Sequence, residues 1–360
     1  MELMNWLLTK EHSSILKGIA IIGMLCWHLF YCDNPVGMFF PEATRYIGIL
    51  GDVCVSLFLF VSGYGMAYTL AKSESVGGAF YCKTAERLIK FYFSFWPVFI
   101  IVVPIGILIF HKPMVNDSVS FHGAIRTWLL QFFALSGYTS YNASWWYNSL
   151  IIPLYLLSPL LYWCCKKMPV MTIVASFIID SLHLRWGVNM GGYLPIYIVG
   201  MIWYLWNSTI SNCLNIISKR YVGLISIFFL ALLCLSFLFI KEPYHIRGLY
   251  VYGLMTICLT LSTVSIISDS IFLSVILSFL GRHSANIYFV HTLIFYYWFP
   301  ELFYSLRYPI VILGVLMIVS IGISYMFDNL KKRLRIPILQ SIIIKKTEML
   351  TTQKIHNNEL

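Results

Sequence analysis

The sequence predicts an all-α protein, a polytopic bundle of about ten transmembrane helices with both termini in the cytoplasm. Hydrophobic residues make up 59% of the chain and charged residues only 11%, whereas an average soluble domain has about 25% charged residues. Long apolar runs recur along the chain and match the roughly 30 Å thickness of a bilayer core when helical. Basic residues collect in the short segments between these runs. These observations together exclude a soluble globular protein.

Ten apolar segments are predicted to cross the membrane in alternating directions. Two of them, 169–182 and 193–207, are short and would need tilt or a locally thin bilayer. Residues 124–137 are apolar but contain Arg126 and Gln131, so an interfacial or re-entrant helix is predicted there. The ten segments are 13–31, 47–70, 91–110, 146–165, 169–182, 193–207, 221–240, 248–267, 284–301 and 308–328.

The net charge of +10 does not indicate a nucleic-acid partner in this chain. With the N-terminus in the cytoplasm, most of the 25 basic residues fall on the cytoplasmic side, including KKRLR at 331–335. The nine cysteines show no metal-ligand spacing, and no metal is expected. A single membrane domain over 1–335 and a cytoplasmic C-terminal tail over 336–360 are predicted.

Lys17 and His28 are the ionisable residues of the first predicted helix. Eleven residues make about three turns, so the two side chains share a helical face and lie about 16 Å apart along the axis. Lys17 at the inner end could hold a phosphorylated donor, and a neutral His28 near the outer end could take a proton from a hydroxyl group. Alternatively, Lys17 reaches the lipid head groups and His28 lies in the opposite interface, without a chemical role.

The segment KGIAIIGMLCWHLF, residues 17–30, resembles the opening helix of the acyltransferase-3 family, which carries a basic residue, ten intervening residues and a histidine. Most members have arginine where this chain has Lys17. Four further segments resemble the family in the expected order, whereas residues 166–278 match it only in hydropathy. These segments are GDVCVSLFLFVSGYGMAY (51–68), CKTAERLIKFYFSFWPV (82–98), SWWYNSLIIPLYLLSPLL (144–161) and FLGRHSANIYFVHTLIFYY (279–297).

The resemblance implies a membrane O-acetyltransferase of the bacterial cytoplasmic membrane. Such an enzyme transfers an acetyl or other acyl group from cytoplasmic acyl-coenzyme A to a hydroxyl of an extracytoplasmic polysaccharide or lipid-linked sugar. Acetyl-coenzyme A is therefore the expected co-substrate, and a cell-surface glycan is the expected acceptor. Membrane lipids surround the protein, and polysaccharide-assembly proteins are further candidate partners.

The resemblance also suggests roles for individual residues. His28 is expected to be the general base, and Asp52, at the outer end of the second span, could pair with it and raise its basicity. Four basic residues are expected to hold the acyl donor, namely Lys17, Arg87, Lys90 and Arg282. Five residues are expected to contact the acceptor, namely Ser62, Trp145, Trp146, Tyr147 and His291.

Structural alternatives exist for each of these residues. Ser62 and Gly63 could allow close helix packing, the aromatic residues could form an interfacial belt, and His291 could be a hydrogen-bonded core histidine. Many members of the family have an acidic residue in the middle of the 144–161 segment. This chain has no carboxylate there, because the corresponding positions are Asn148, Ser149 and Ile152.

Two other classes of function fit the same composition. A transporter or flippase of a glycan or lipid precursor would also have many helices, short glycine-bearing spans and basic loops, although no internal repeat is detected. A membrane sensor or anchoring module without catalysis is the third class, and it would tolerate the loss of both Lys17 and His28.

Overall fold

The computed structural model describes residues 6–32, 38–75, 80–115, 120–181, 193–237 and 247–358, and their regular structure is helical, without strands. Helices are expected here because lipid offers no hydrogen-bond partner to an open backbone. The described α-helices are α1 (Lys10–Trp27), α2 (Pro41–Gly51), α3 (Val53–Glu74), α4 (Phe80–Leu108), α5 (Phe121–Phe132), α6 (Trp146–Lys167), α7 (Pro169–Ser181), α8 (Leu194–Leu205), α9 (Asn207–Leu214), α10 (Lys219–Ser236), α11 (Arg247–Ser265), α12 (Ile271–Arg282), α13 (Ser284–Thr292), α14 (Pro300–Tyr304), α15 (Pro309–Arg333) and α16 (Ile336–Asn358).

Seven helical stretches in the described ranges are long and apolar enough to cross a membrane. They coincide with seven of the predicted spans, and α7 and α8 are short apolar helices where 169–182 and 193–207 were predicted. The predicted span 284–301 is occupied mainly by α13 and a π-helical turn, Leu293–Trp298. The all-helical membrane fold is thus confirmed, while the number of spans and the cytoplasmic termini stay predictions. The predicted ends at 182 and 238–240 lie outside the described residues.

Three helices differ from, or add to, the sequence prediction. Helix α12 was not predicted, because its 12 residues cover only about 18 Å. Helix α5 has 12 residues and occupies most of the segment predicted to be interfacial or re-entrant. Helix α16 begins just after the predicted boundary at 335 and contacts α4 through Lys83, whose Nζ lies 2.8 Å from Glu348 Oε1. The cytoplasmic location of this C-terminal segment stays a prediction.

Helices α3 and α8 pack with their backbones in direct contact. A Cβ atom on Gly63 would lie 2.1 Å from the carbonyl oxygen of Tyr197, and one on Gly200 would lie 2.1 Å from the carbonyl oxygen of Phe60. Real Cβ atoms do not approach so closely, so each helix needs glycine at the crossing. The packing role considered for Gly63 in the sequence is therefore seen in the structure.

The same reciprocal arrangement joins α1 to α12. A Cβ atom on Gly18 would lie 2.0 Å from the carbonyl oxygen of Leu277, and one on Gly281 would lie 1.9 Å from that of Ser14. The start of α1 is fixed by Thr9, whose hydroxyl oxygen accepts a hydrogen bond from the backbone N–H of His12. Helix α1 therefore has a defined beginning and a fixed depth against its neighbour.

Ion pairs gather at one end of the bundle, here called the basic end and defined by Lys83, Lys166 and Lys219. Lys166 Nζ lies 2.7 Å from both carboxylate oxygens of Glu74 at the end of α3. Lys219 Nζ lies 3.4 Å from Asp269 Oδ1. Because these pairs are partly exposed, each is expected to add at most about 1 kcal/mol of stability. These ion pairs show which helix ends lie together.

Candidate active site

A single cavity of about 220 Å³ brings together residues that are far apart in the sequence. It is enclosed by α1, α3, α4, α6 and α13. Lys17 lines it from α1, and His28 and Asp52 line it farther from the basic end. The other lining residues are Met24, Trp27, Cys54, Val55, Phe58, Ser62, Phe91, Ser144, Trp146, Tyr147, Asn148, Ile151, Tyr155, Ser284, Ala285, Tyr288 and Phe289.

His28 is the first residue of a π-helical turn, His28–Cys32, that continues α1. Such turns contain an extra residue, are rare, and occur frequently at functional sites. His28 is half-buried and lines the cavity. The wider turn changes the direction of the side chains that follow, so it ends the regular face on which Lys17 and His28 lie.

His291 is fully buried beside His28, with 5.0 Å between the ring centres. Its Nδ1 lies 3.0 Å from the carbonyl oxygen of Tyr288 and 3.2 Å from that of Ile287. A carbonyl oxygen only accepts hydrogen bonds, so Nδ1 carries a proton and donates it. Nε2 is then an acceptor, and it has no hydrogen-bond partner among the described residues.

The surroundings of His291 are held by a buried polar network. Asn142 Oδ1 accepts hydrogen bonds from the hydroxyls of Ser144, at 3.1 Å, and Thr292, at 2.5 Å. Asn142 Nδ2 donates to the carbonyl oxygen of Phe289 at 3.3 Å. This network attaches α13 to the segment that leads into α6, and it thereby fixes the position of His291 next to the cavity.

Asp52 lies at the junction of α2 and α3, where it is the C-cap residue of α2 and the N-cap residue of α3. It shares the cavity with His28. The two helix ends are neighbours, since a Cβ atom on Gly51 would lie 2.2 Å from the carbonyl oxygen of Gly23. No hydrogen bond or ion pair joins Asp52 to His28 in the part of the chain that the structure describes.

The four predicted donor-binding residues separate into two groups. Lys17 lines the cavity, and the Arg87 guanidinium interacts electrostatically with it. The Arg87 Nη2 atom lies 2.7 Å from the position of a Cβ on Gly65, so the absence of a side chain at Gly65 makes room for the guanidinium on α3. Arg87 is not among the residues that line the cavity, but it lies close to Lys17, so two cationic groups are neighbours near one end of the cavity.

Lys90 and Arg282 do not line the cavity. Lys90 is exposed and forms an ion pair with Glu86 one turn away on α4. Arg282 is exposed at the end of α12, with its guanidinium carbon 5.9 Å from the centre of the Phe279 ring. Neither residue reaches the Lys17 and Arg87 group in this structure.

The predicted acceptor-binding residues also differ in position. Ser62, Trp146 and Tyr147 line the cavity. Trp145 is buried in the core, where its Nε1 donates to the carbonyl oxygen of Phe289 at 3.0 Å. Trp145 therefore supports the wall of the cavity from behind, while its two successors on α6 form the surface.

Several polar residues of the cavity wall were not selected from the sequence, among them Ser144, Asn148 and Tyr288. The Tyr288 hydroxyl donates to the carbonyl oxygen of Ser144 at 2.8 Å. Asn148 is 1% exposed, and its Nδ2 has no partner among the described residues. The only signal in the sequence was an asparagine in the part of the 144–161 segment where many relatives have an acidic residue.

One protein-family model matches most of the chain. The model of the acyltransferase domain of the acyltransferase-3 family matches residues 13–328. The chain belongs to the acyltransferase-3 family. No curated protein and no solved structure matches the chain significantly. The family match covers all of the residues that line the cavity, and it supports an acyltransferase in a membrane. The resemblance stated from five short segments is thereby confirmed over nearly the whole chain.

Proposed function

We propose that this acyltransferase-3 protein is an O-acetyltransferase that uses cytoplasmic acetyl-coenzyme A to acetylate a hydroxyl of an extracytoplasmic polysaccharide or lipid-linked sugar. The observation that carries this proposal is the shared cavity, which has Lys17 toward one end and His28 toward the other. The eleven residues between them correspond to about 16 Å along α1. An extended pantetheine arm has a comparable length.

The donor is proposed to enter from the basic end. Lys17 and Arg87 are close enough to interact, and two cations without a lining carboxylate between them suit the phosphates of coenzyme A. Among the described residues that line the cavity, Asp52 is the only acidic one, and it is on the His28 side. The basic end is inferred to face the cytoplasm, in accordance with the positive-inside rule.

His28 is proposed to be the general base. A histidine is mostly neutral at ambient pH, so it can take a proton from the acceptor hydroxyl as that oxygen attacks the thioester carbon. The orphaned Nε2 of His291 offers an acceptor beside it. If one N–H of a neutral His28 donates a hydrogen bond to His291 Nε2, the other His28 nitrogen is unprotonated. That nitrogen can then take the proton of the sugar hydroxyl.

The acceptor is proposed to bind among Ser62, Trp146 and Tyr147. Flat aromatic side chains can stack on a sugar ring, and the Tyr147 and Ser62 hydroxyls can hydrogen-bond with sugar hydroxyls. All three line the same cavity as His28, so a hydroxyl held there has a short path to the base.

Replacing His28 with alanine tests the proposal. We expect the turnover number with acetyl-coenzyme A and glycan to fall roughly 10²- to 10⁴-fold, because the base is lost. Purified wild-type protein and variant are compared by release of coenzyme A thiol and by mass spectrometry of the surface polysaccharide from complemented cells. His122→Ala is the matched control, since His122 is exposed on α5 and outside the cavity.

Equal acetylation by the His28→Ala variant would contradict a role as base. Movement of a glycan precursor by the wild-type protein without consumption of the thioester would contradict the enzyme and favour a carrier. A folding defect in the variant is checked by its chromatographic profile in detergent.

A further inference from the structure

The Asn148 side chain is a buried hydrogen-bond donor without a partner. It is 1% exposed, and no acceptor lies within hydrogen-bond distance of its Nδ2 among the described residues. Burying an unsatisfied amide is unfavourable, and such groups call for an explanation. Asn148 lines the cavity that holds His28, so a molecule bound there can supply the missing acceptor.

The backbone around Asn148 is held on both sides. The preceding turn is fixed by Trp145, whose Nε1 donates to the carbonyl oxygen of Phe289 at 3.0 Å. The following residue, Ser149, donates through Oγ to the carbonyl oxygen of Ala134 at 2.8 Å and accepts from the N–H of Gly137 at 2.9 Å. The backbone that carries the amide is therefore held in place before any substrate binds, which limits the movement of a donor at this position.

The chemistry of the cavity limits what this amide can serve. His28 lines the same cavity and can accept a proton, and Asp52 can accept hydrogen bonds but cannot donate when ionised. A neutral amide N–H is able to stabilise negative charge without releasing a proton. In acyl transfer, negative charge develops on the carbonyl oxygen of the acyl group.

We infer that the side-chain amide of Asn148 donates a hydrogen bond to the thioester carbonyl oxygen as it becomes an oxyanion. This inference rests on the proposed acyl transfer. The acceptor hydroxyl gives its proton to His28, and its oxygen forms a bond to the carbonyl carbon while the carbonyl π electrons move onto the oxygen. When the carbonyl re-forms, the carbon–sulfur bond breaks, and the departing thiolate takes the proton from His28.

The test compares Asn148→Ala and Asn148→Asp with the wild-type protein. Asparagine-to-aspartate retains the size but replaces the donor by a carboxylate that repels an oxyanion. Each purified protein is given acetyl-coenzyme A and surface polysaccharide that has been de-acetylated with mild alkali, and thiol release is recorded. We expect kcat to fall roughly 10²- to 10³-fold in both variants, with a much smaller change in the KM for either substrate.

Asn207→Ala is the matched control. Asn207 also has an unpartnered, buried Nδ2, but it is on α9 and outside this cavity, so its loss should leave kcat unchanged. Binding of coenzyme A, which has no acyl carbonyl, should have the same Kd in all variants and verifies that they are folded.

The possible failures are distinguishable. If the wild-type protein does not transfer the acetyl group, the proposed function and this inference both fail. If it does, and either Asn148→Ala retains wild-type kcat or the change is confined to the KM for the polysaccharide, the oxyanion role alone is wrong. A variant that no longer binds coenzyme A is replaced by Asn148→Leu, which has a similar size and no donor and for which the same loss in kcat is expected.

Discussion

Lys17 lines the cavity, and the guanidinium of Arg87 lies close to it without lining the cavity itself. Lysine is a compact point charge, whereas arginine presents a planar fork that can contact a phosphate with two parallel hydrogen bonds. Most relatives resembled by this segment have arginine at the Lys17 position. The neighbouring Arg87 can provide the bidentate contact that Lys17 cannot, which would divide the recognition of one phosphate group between two helices.

Replacing Lys17 therefore tests whether its positive charge contributes to the binding of coenzyme A. Lys17→Ala should weaken coenzyme A binding roughly 10- to 100-fold, the value of a lost hydrogen bond to a charged group. Lys17→Arg should retain most of the binding. Isothermal titration calorimetry in detergent at two salt concentrations gives both affinities. Unchanged binding in the alanine variant would instead favour a lysine that contacts lipid head groups.

Neighbouring residues show how much of the candidate site could be predicted from the sequence. The motif that contains Ser62 and Gly63 was recognised, but its two alternative roles could not be assigned. In the structure the two residues have different surroundings, because Ser62 lines the cavity and Gly63 packs against α8; contact of Ser62 with a substrate stays a prediction. Likewise, Trp145 is a core residue and Trp146 a cavity residue. A helix rotates by about 100° per residue, so only the packing of its neighbours decides which side chain faces the site.

At the scale of elements, the contact between α3 and α8 needs glycine on both helices, as does the contact between α1 and α12. Gly63→Ala should destabilise the protein by about 1 to 3 kcal/mol, because its Cβ would lie 2.1 Å from the Tyr197 carbonyl oxygen and the helices would have to separate. Thermal unfolding in detergent measures the effect.

Gly322→Ala is the control for this change. Gly322 is in α15, and a Cβ atom there would have no neighbour within 4 Å. Alanine is the better helix former by about 1 kcal/mol, so this variant should be as stable as the wild-type protein or slightly more stable. Equal behaviour of the two variants would contradict the steric role of Gly63.

Element boundaries explain what the sequence could and could not predict about the fold. Long apolar spans were located by their hydropathy, because the bilayer imposes a minimum length, but helix ends were less accurate, since α4 begins at Phe80 and the predicted span at 91. Helix α12 was missed since its 12 residues are too short for that criterion and its packing against α1 depends on glycine contacts between distant segments. The two π-helical turns, His28–Cys32 and Leu293–Trp298, were also missed, because no residue pattern distinguishes them from an ordinary helix.

At the scale of the whole molecule, the orientation in the membrane can be tested through one cysteine. Cys213 is exposed on α9, and α9 lies at the basic end, where Asn207 shares a surface recess with Glu74 and Lys166. If this end faces the cytoplasm, a membrane-impermeant maleimide should label Cys213 in inside-out vesicles and not in intact cells. The Cys213→Ser variant supplies the background, and labelling of Cys213 in intact cells would reverse the topology.

The reciprocal glycine contacts between α3 and α8 and between α1 and α12 limit how these helices can move. In the pairs α1–α12 and α3–α8, carbonyl oxygens of each helix lie against a glycine of the other. Neither pair can therefore slide along its axes without breaking these contacts. Since α1 and α3 also contact each other directly, the four helices are expected to move as one unit. A substrate would then enter through movement of the other helices that line the cavity, α4, α6 and α13, while α1 keeps the distance between the ammonium group and the imidazole.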